Sequence, residues 1–319
     1  MADDPSVEAL FGKRLIFVTG KGGVGKTTIA LALALLAAKR GKKVLLCEAE
    51  PKGEFAQYFS QPHIGFQPTE VRPNLWCMEM DTEAALYEYL RIYLKLGIPR
   101  GLGPLAKTFD FVANAAPGVK EILVIGKLCY EVRAGHFDLI IVDAAAAGQI
   151  LSQLQATRGV GALIPVGMVR DQTEWMSALL ADPEVTVAFL VTTAEETPVE
   201  EAIELGTAIR RETDVTLAMG FVNKVIPSVF STSEARVAAG LLNEERARLL
   251  DLLGEDSERV LRAVALWNAL TENHVRNESI LRDAFDGSLP MVQIPLIAGP
   301  NAGDGIVEEV TETIEVALS

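Results

Sequence analysis

The sequence predicts an α/β fold, a doubly wound and mostly parallel sheet with an added helical subdomain. Short apolar runs recur along the chain without polar alternation, as expected for strands buried on both faces. Segments with helical spacing separate these runs, and parallel neighbours need such long crossover connections. The first apolar run leads through a glycine-rich loop directly into an Ala- and Leu-rich segment. This strand, loop and helix unit opens the predicted fold.

The loop follows the apolar run 15–18 and reads Gly20, Lys21, Gly22, Gly23, Val24, Gly25, Lys26, Thr27, Thr28. Its glycines let backbone N–H groups turn inward around an anion, and the following helix adds partial positive charge. Lys26 is placed to reach the β- and γ-phosphates, and the Thr27 hydroxyl to ligate Mg²⁺. The spacing is that of a phosphate-binding loop, or P-loop, and it predicts binding of a nucleoside triphosphate. A glycine-rich turn with a chance lysine is the alternative.

The later strands are predicted from their apolar runs, which cover residues 43–47, 137–142, 185–191, 216–223 and 291–296. A helix over 198–211 begins with a proline and has acids in its first turn. Ligands of such sheets bind at the carboxyl ends of the strands. The residues at or just past those ends are Glu48, Glu50, Asp143, Asn223 and Pro295.

Other stretches have helical rather than strand patterns. We predict one P-loop domain over 1–319, with helical additions at approximately 83–133, 151–183 and 234–285. The Tyr and Leu side chains between 86 and 94 repeat at helical spacing. Such a face is more typical of ordinary core than of a ligand groove.

Composition argues against several classes of protein. The 319 residues carry a net charge of −14, which argues against nucleic-acid binding because phosphates are neutralised by clustered Lys and Arg. The N-terminus lacks the features of a signal peptide, and no apolar run is long enough for an integral membrane segment. Three widely spaced cysteines fit reduced thiols. We therefore expect a cytoplasmic location.

Lys21 is not needed by the loop itself. With it, the motif resembles the signature-lysine class, which includes partition and septum-site ATPases, nitrogenase iron proteins, and arsenite-pump and tail-anchored-protein-targeting ATPases. In that class the extra lysine reaches the partner's phosphates across a dimer interface. The resemblance implies that Lys21 acts in trans, where an ammonium neutralises charge developing on the transferred phosphoryl group. A solvated surface lysine is the alternative.

The order of motifs is similar to that of the arsenite-pump and tail-anchored-targeting ATPase family, and most similar to its shorter prokaryotic members. After the loop come Glu48-Ala49-Glu50-Pro51, then Asp143 with Gly148, then the segments 192–202 and 220–224. The resemblance spans nearly the whole chain. It implies an ATPase that uses ATP and Mg²⁺, assembles as a homodimer or with a paralogous subunit, and couples its cycle to an unidentified client protein or effector.

Two acids take their expected roles from this resemblance. Glu50 stands where relatives carry an aspartate in the first switch segment, residues 48–53, and is the candidate for positioning the attacking water. Asp143 matches the acid that holds Mg²⁺, usually through water, and Lys21, Lys26 and Glu50 form the candidate catalytic set. A solvent-facing carboxylate is the alternative for Glu50, and a helix cap is the alternative for Asp143.

The second switch segment, residues 143–149, departs from the family pattern. Relatives carry two prolines, a threonine and a histidine after the aspartate, whereas this chain has four alanines, Gly148 and Gln149. Without the prolines the segment has more conformations to lose on ordering. The departure predicts slow hydrolysis rather than loss of nucleotide binding.

Asn223 matches the family's adenine-reading asparagine, and Pro295 matches the backbone segment that lines the base. An amide donates and accepts at a base edge, although a turn-forming Asn is the alternative. ATP is favoured over GTP because no guanine-reading motif stands at the expected position.

Three functions remain open at this point. The first is a dimeric ATPase whose cycle opens and closes two subunits around a client or effector. The second is a weakly hydrolysing nucleotide-binding subunit that supports an active paralogue. The third is a partition or septum-site ATPase, although the C-terminal segment 306–319 is acidic rather than basic.

Overall fold

A computed structural model describes residues 7–93, 118–163, 168–228, 256–297 and 304–319, with isolated positions between 229 and 255. Its strands are β1 (Leu15–Gly20), β2 (Val44–Glu48), β3 (Thr69–Arg72), β4 (Leu75–Glu79), β5 (Leu139–Asp143), β6 (Thr186–Thr193), β7 (Thr216–Val225) and β8 (Met291–Pro295). These strands form one sheet in the order β3-β4-β2-β5-β1-β6-β7-β8. Only the β3–β4 pair is antiparallel among these strands. The predicted mostly parallel α/β fold is confirmed.

The helices of the described residues cover both faces of the sheet. They are α1 (Val7–Phe11), α2 (Lys26–Lys39), α3 (Glu54–Tyr58), α4 (Thr82–Tyr93), α5 (Val119–Ala134), α6 (Ala147–Leu163), α7 (Met168–Ala181), α8 (Glu196–Glu212), α9 (Asp256–Ala284) and α10 (Asp304–Ala317). None of them combines the length and the apolarity that a membrane crossing requires.

Helix α2 follows the glycine-rich loop and is buried along nearly its whole length. Its Ala and Leu side chains contact the sheet on one side, and α10 packs against it on the other. A helix that is apolar all round needs such cover from two elements. From α10, Val310 and Ile314 complete this half of the core. The loop is therefore attached to one of the most deeply buried helices of the protein.

The opposite face of the sheet is covered mainly by helices α5 to α9. Phe17 of β1 belongs to this core cluster, together with Ile125 of α5, Ile150 of α6 and Phe285 of α9. Helix α6 packs against both α5 and α7. A movement of α6 would therefore reach the two helices beside it.

The predicted strands are all present, with ends that differ from the predicted ones by at most two residues, and the predicted helix 198–211 is α8. Strands β3 and β4 were not predicted. The predicted helical stretch 83–133 contains α4 and α5, and its middle, 94–117, lies outside the described residues. Within the predicted helical stretch 234–285 the structure describes α9, whereas most of 234–255 lies outside the described residues.

Candidate functional site

The glycine-rich loop leaves β1 at the carboxyl edge of the sheet, where two of its glycines are required by space. A Cβ atom on Gly20 would lie 2.1 Å from the Val191 carbonyl oxygen of the neighbouring strand. Gly25 has φ of 94°, and its Cβ would lie 2.2 Å from the side-chain nitrogen of Asn223. Both positions therefore exclude a side chain, so the loop runs close against β6 and β7.

Lys26 begins α2 and folds back over the loop. Its Nζ donates to the carbonyl oxygen of Lys21 at 3.1 Å. Burial lowers the pKa of Lys26, and the nearby Asp143 carboxylate acts in the opposite direction. An anion bound in the loop would favour the charged ammonium further.

Thr27 and Asp143 meet at the end of β5. The Thr27 hydroxyl donates to Asp143 Oδ2 at 2.6 Å, while Oδ1 of the same carboxylate is buried without a hydrogen-bond partner. Burial raises the pKa of Asp143 to about 6. A buried and partly unpaired carboxylate beside a hydroxyl suits a cation, because the cation would remove the cost of burying the charge.

The arrangement of Thr27 and Asp143 is compatible with a Mg²⁺ ion that is coordinated by both protein and nucleotide. Among the described residues, no group of three or more His, Cys, Asp and Glu side chains is arranged to hold a metal ion. A magnesium ion that keeps several waters needs only one or two protein ligands besides the phosphates of its nucleotide. Thr27 and Asp143 would provide the protein ligands of such a site.

Glu48 is a site residue to which sequence reasoning assigned no role. It ends β2 directly beside Asp143 in the sheet register. Its Oε1 accepts the Lys52 backbone N–H at 2.9 Å, and its Oε2 is buried without a partner. Burial raises the pKa of Glu48 to about 7, with the negative charges of Glu79 and Asp143 adding to the effect. The sequence signal that could have identified Glu48 is an acidic residue directly after an apolar run.

Glu50 lies two residues past the end of β2, and its side chain is 48% exposed. Its carboxylate is 3.7 Å from the Lys52 ammonium. Glu50 also lines a cavity of about 380 Å³ together with Lys120 of α5 and Gln149 of α6. The structure thus brings the first switch segment to one cavity with the end of the second.

Lys21 extends from the loop towards α8. Its ammonium is paired with the carboxylate of Glu201, and the Lys21 side chain is 51% exposed. Within one subunit, Lys21 is therefore held at the surface by an acid of the same chain.

Asn223 reaches the loop from β7. It is 5% exposed, and its Nδ2 donates to the Val24 carbonyl oxygen at 2.8 Å, while its Oδ1 accepts the Lys224 backbone N–H at 2.9 Å. An Asn amide has two N–H groups and two acceptor sites, so these bonds use one of each. Pro295 ends β8 beside Val225. The structure thus places Asn223 at the loop and Pro295 on the adjoining strand.

A second cavity lies between α4, α5 and α7. It measures about 270 Å³, and apolar side chains line most of it, among them Leu86, Tyr89 and Met176. The interpretation of the 86–94 face as ordinary core is wrong for these positions, because Leu86 and Tyr89 are only half-buried and border this cavity. Lys127 also lines it and is paired with Glu88 at 2.6 Å and Glu131 at 2.7 Å.

Comparison with known proteins places the chain in a family. The model of the anion-transporting ATPase family matches residues 13–166. The chain is 35% identical to ATPase BagA of Mycobacterium tuberculosis over 313 residues, which cover 93% of this chain and 90% of BagA. It is 31% identical to putative arsenical pump-driving ATPase 2 of Aquifex aeolicus over 46% of this chain and 50% of that protein. For ATPase GET3 of Podospora anserina the identity is also 31%, over 48% of this chain and 47% of GET3.

The match to BagA extends over most of both proteins, and the family model covers residues 13–166, which contain the glycine-rich loop and both switch segments. The predicted resemblance is confirmed, and this chain belongs to the anion-transporting ATPase family.

Proposed function

We propose that this chain is a Mg²⁺-dependent ATPase that dimerises around its nucleotides and couples the resulting closure to a client or partner protein. Family membership supports ATP hydrolysis in general. The observation that carries the proposal is the contact between Thr27 and Asp143 under the glycine-rich loop, with one carboxylate oxygen buried and unpaired. Dimerisation, the client and the rate are the parts that need experiment.

Nucleotide binding involves groups from four strands. The loop N–H groups and Lys26 hold the phosphates, while Thr27 and Asp143 would hold Mg²⁺, which would supply positive charge beside the phosphates. The free N–H and acceptor site of Asn223 are available to the adenine edge, with Pro295 lining the base. The position of Asn223 against the loop supports this assignment, since base and phosphates must be reached from one place.

Glu50 positions the attacking water in this proposal. Its side chain is exposed and not buried in the sheet, so a small shift of the first switch segment can aim its carboxylate. Glu48 ties that segment to β2 through the Lys52 N–H. The first switch segment thus has a start bonded to β2 and an exposed acid further along.

Lys21 has two alternative partners in this cycle. In one subunit it pairs with Glu201, and in the closed dimer it reaches the partner's phosphates. Exposed ion pairs contribute little stability, roughly 1 kcal/mol or less, so release from Glu201 is inexpensive. A transferred phosphoryl group with its developing charge is the stronger attractor.

Coupling to a client passes from the switch segments into the helices. The second switch segment leads directly into α6, which packs against α5 and α7. Those two helices and α4 enclose the apolar cavity of about 270 Å³. A rearrangement at Asp143 would therefore change the shape of this cavity, and we propose that the client contacts the protein there.

The second candidate is a weakly hydrolysing subunit of a heterodimer. The second switch segment favours it, because Ala146 is exposed and the alanines provide no side-chain donor for the γ-phosphate. The partition or septum-site candidate is disfavoured by α10. This C-terminal helix packs on α2 through buried Val310 and Ile314, and its Glu315 pairs with Lys39 and Arg40.

The test uses the full chain with Glu50→Gln to slow hydrolysis, and Glu309→Gln on α10 as a matched control. Sedimentation velocity with Mg²⁺-ATP should show a dimer for Glu50→Gln at concentrations where the nucleotide-free protein is a monomer. Single-turnover assays should show slow hydrolysis by the wild type, lost in Glu50→Gln and kept in Glu309→Gln. Wild-type protein that neither binds nor hydrolyses Mg²⁺-ATP would overturn the proposal, and ATP hydrolysis that rises on mixing with a paralogue would favour the heterodimer.

A further inference from the structure

Lys224 follows Asn223 near the end of β7 and has an unusual backbone. Its φ is 57°, in the left-handed region that residues with a Cβ rarely adopt. This conformation accompanies a side chain that returns to the glycine-rich loop, where Nζ donates to the Gly23 carbonyl oxygen at 3.1 Å. A glycine would adopt the same backbone conformation with less strain, but it has no ammonium group to donate a hydrogen bond. An unfavourable conformation kept beside a functional loop points to a role there.

Lys224 and Asn223 bind two consecutive carbonyl groups of the loop. The Lys224 ammonium donates to the Gly23 carbonyl oxygen at 3.1 Å, and the Asn223 amide donates to the Val24 carbonyl oxygen at 2.8 Å. The two side chains are themselves linked, since the Lys224 N–H donates to Asn223 Oδ1 at 2.9 Å. The end of β7 therefore fixes two successive peptide planes of the loop.

Fixing a carbonyl also fixes the N–H of the same peptide group. In a planar trans peptide the C=O and N–H point in opposite directions. With the Gly23 and Val24 carbonyls turned towards β7, the N–H groups of Val24 and Gly25 are turned away from it. A phosphate-binding loop works through N–H groups that point at the anion together. Free rotation of these planes would cost the loop part of its affinity.

We infer that Lys224 is a positioning residue for the phosphate-binding loop, and that with Asn223 it orients the Val24 and Gly25 N–H groups towards the nucleotide phosphates. The inference rests on the proposed ATP site. It gives Lys224 a function in phosphate binding without a direct contact to the phosphates. It also gives Asn223 a second task besides reading the base.

The experiment compares three substitutions at one position in the full-length protein. Lys224→Met keeps the length of the side chain and removes the donor, Lys224→Arg restores a donor, and Lys224→Gly removes both donor and backbone strain. Lys39→Met is the control, because Lys39 is an exposed lysine at the far end of α2, where it pairs with Glu315. The measurements are dissociation constants for Mg²⁺-ATP by calorimetry and the midpoint of thermal unfolding without nucleotide.

Lys224→Met should weaken Mg²⁺-ATP binding by about fivefold to tenfold, as expected for loss of one solvent-exposed hydrogen bond. Lys224→Arg should keep most of the affinity, and Lys39→Met all of it. Lys224→Gly should bind as weakly as Lys224→Met while unfolding at the same or a higher temperature than the wild type, which a merely structural role would not produce.

Equal affinity of wild type and Lys224→Met, with both proteins folded, would overturn this inference and leave the ATP site intact. If Lys224→Met fails to fold, full affinity in Lys224→Gly would overturn it equally. Wild-type protein without affinity for Mg²⁺-ATP would overturn the proposed function and this inference with it.

Discussion

Replacing Asp143 by asparagine should have two effects of opposite sign. The carboxyl group is buried at the end of β5, and burial raises its pKa from 3.8 to about 6. Asparagine keeps an oxygen that can accept the Thr27 hydroxyl, but it carries no charge and binds Mg²⁺ weakly. The nucleotide-free protein should become more stable, whereas its stabilisation by Mg²⁺-ATP should fall.

The size of the first effect follows from the pKa. The folded protein holds this proton more tightly than the unfolded chain, so the free energy of unfolding falls as pH rises from about 4 to about 6. Each pKa unit corresponds to about 1.4 kcal/mol, which makes the full penalty above pH 6 about 3 kcal/mol. Asp143→Asn removes this penalty, in which the attraction to Lys26 is already included. We therefore expect a gain from this group of at most about 3 kcal/mol at pH 7.5.

Urea unfolding with and without Mg²⁺-ATP measures both effects. At pH 7.5 without nucleotide Asp143→Asn should be the more stable protein, and the difference should shrink towards pH 4. With Mg²⁺-ATP the wild type should gain more stability than the variant, by mass action on the folded state. ATP with EDTA separates the loss of the cation from any loss at the loop. Glu48 adds to the expected gain, because the negative charge of Asp143 helps to raise the pKa of Glu48 and the variant lacks that charge.

Two outcomes would refute the reasoning. A variant less stable than the wild type at pH 7.5 would mean that the carboxylate is well compensated in the folded protein. A variant that gains as much from Mg²⁺-ATP as the wild type would mean that Asp143 holds no cation.

The other predictions concern the lysines of the loop and the partner of one of them. Lys26→Ala should abolish Mg²⁺-ATP binding in calorimetry, because Lys26 is the ammonium folded over the loop; unchanged affinity would reject the loop assignment. Lys21→Ala should leave ATP binding by the monomer largely intact. It should lower kcat more than it changes KM, and it should also reduce ATP-promoted dimerisation. Normal sedimentation and turnover of this variant would contradict the role in trans. Glu201→Gln should release Lys21 and shift dimerisation to lower protein concentration, since the ion pair that holds Lys21 within its own subunit is removed; sedimentation equal to that of the wild type would show that this pair does not restrain it.

The local motifs of the chain were readable because each of their positions has its own physical requirement. The glycines at 20 and 25 are demanded by close approach and by a left-handed backbone, and Lys26 and Thr27 follow at fixed spacing. The apolar runs predicted the sheet for the same reason, since a central parallel strand is buried on both faces. What such patterns cannot give is the partner that each side chain meets.

Glu48 and Glu50 illustrate that limit. Both are acids near the end of one apolar run, and the sequence alone gave more weight to Glu50 through its resemblance to the family. The strand extends one residue further than predicted, to Glu48, which puts that carboxylate in the buried register beside Asp143 and leaves Glu50 beyond it. A shift of one residue in a strand end thus decides which acid is buried.

Strands β3 and β4 were not predicted for a different reason. β3, over Thr69–Arg72, has Val71 as its one apolar residue, alternates half-buried and exposed positions, and pairs at one edge of the sheet. It turns into β4 through Pro73 and Asn74, and Asn74 has φ of 65°. Four residues that include Glu and Arg give too little periodicity to predict a strand. Their pairing is decided by the buried β4, which lies beside β2.

The structure of the second switch segment limits which of its residues can have the extra conformational freedom that the sequence predicts. Ala144 and Ala145 are buried, and the Ala144 N–H donates to the Val18 carbonyl oxygen at 3.0 Å, so the segment begins under the control of the sheet. Its exposed part starts at Ala146, whose carbonyl accepts the N–H groups of Gln149 and Ile150 at the start of α6. The conformational freedom gained by losing prolines is therefore confined to the few residues between Asp143 and the body of α6. In the proposed coupling α6 connects this stretch to the helices around the apolar cavity, so slow closure of the stretch would delay hydrolysis and client response together.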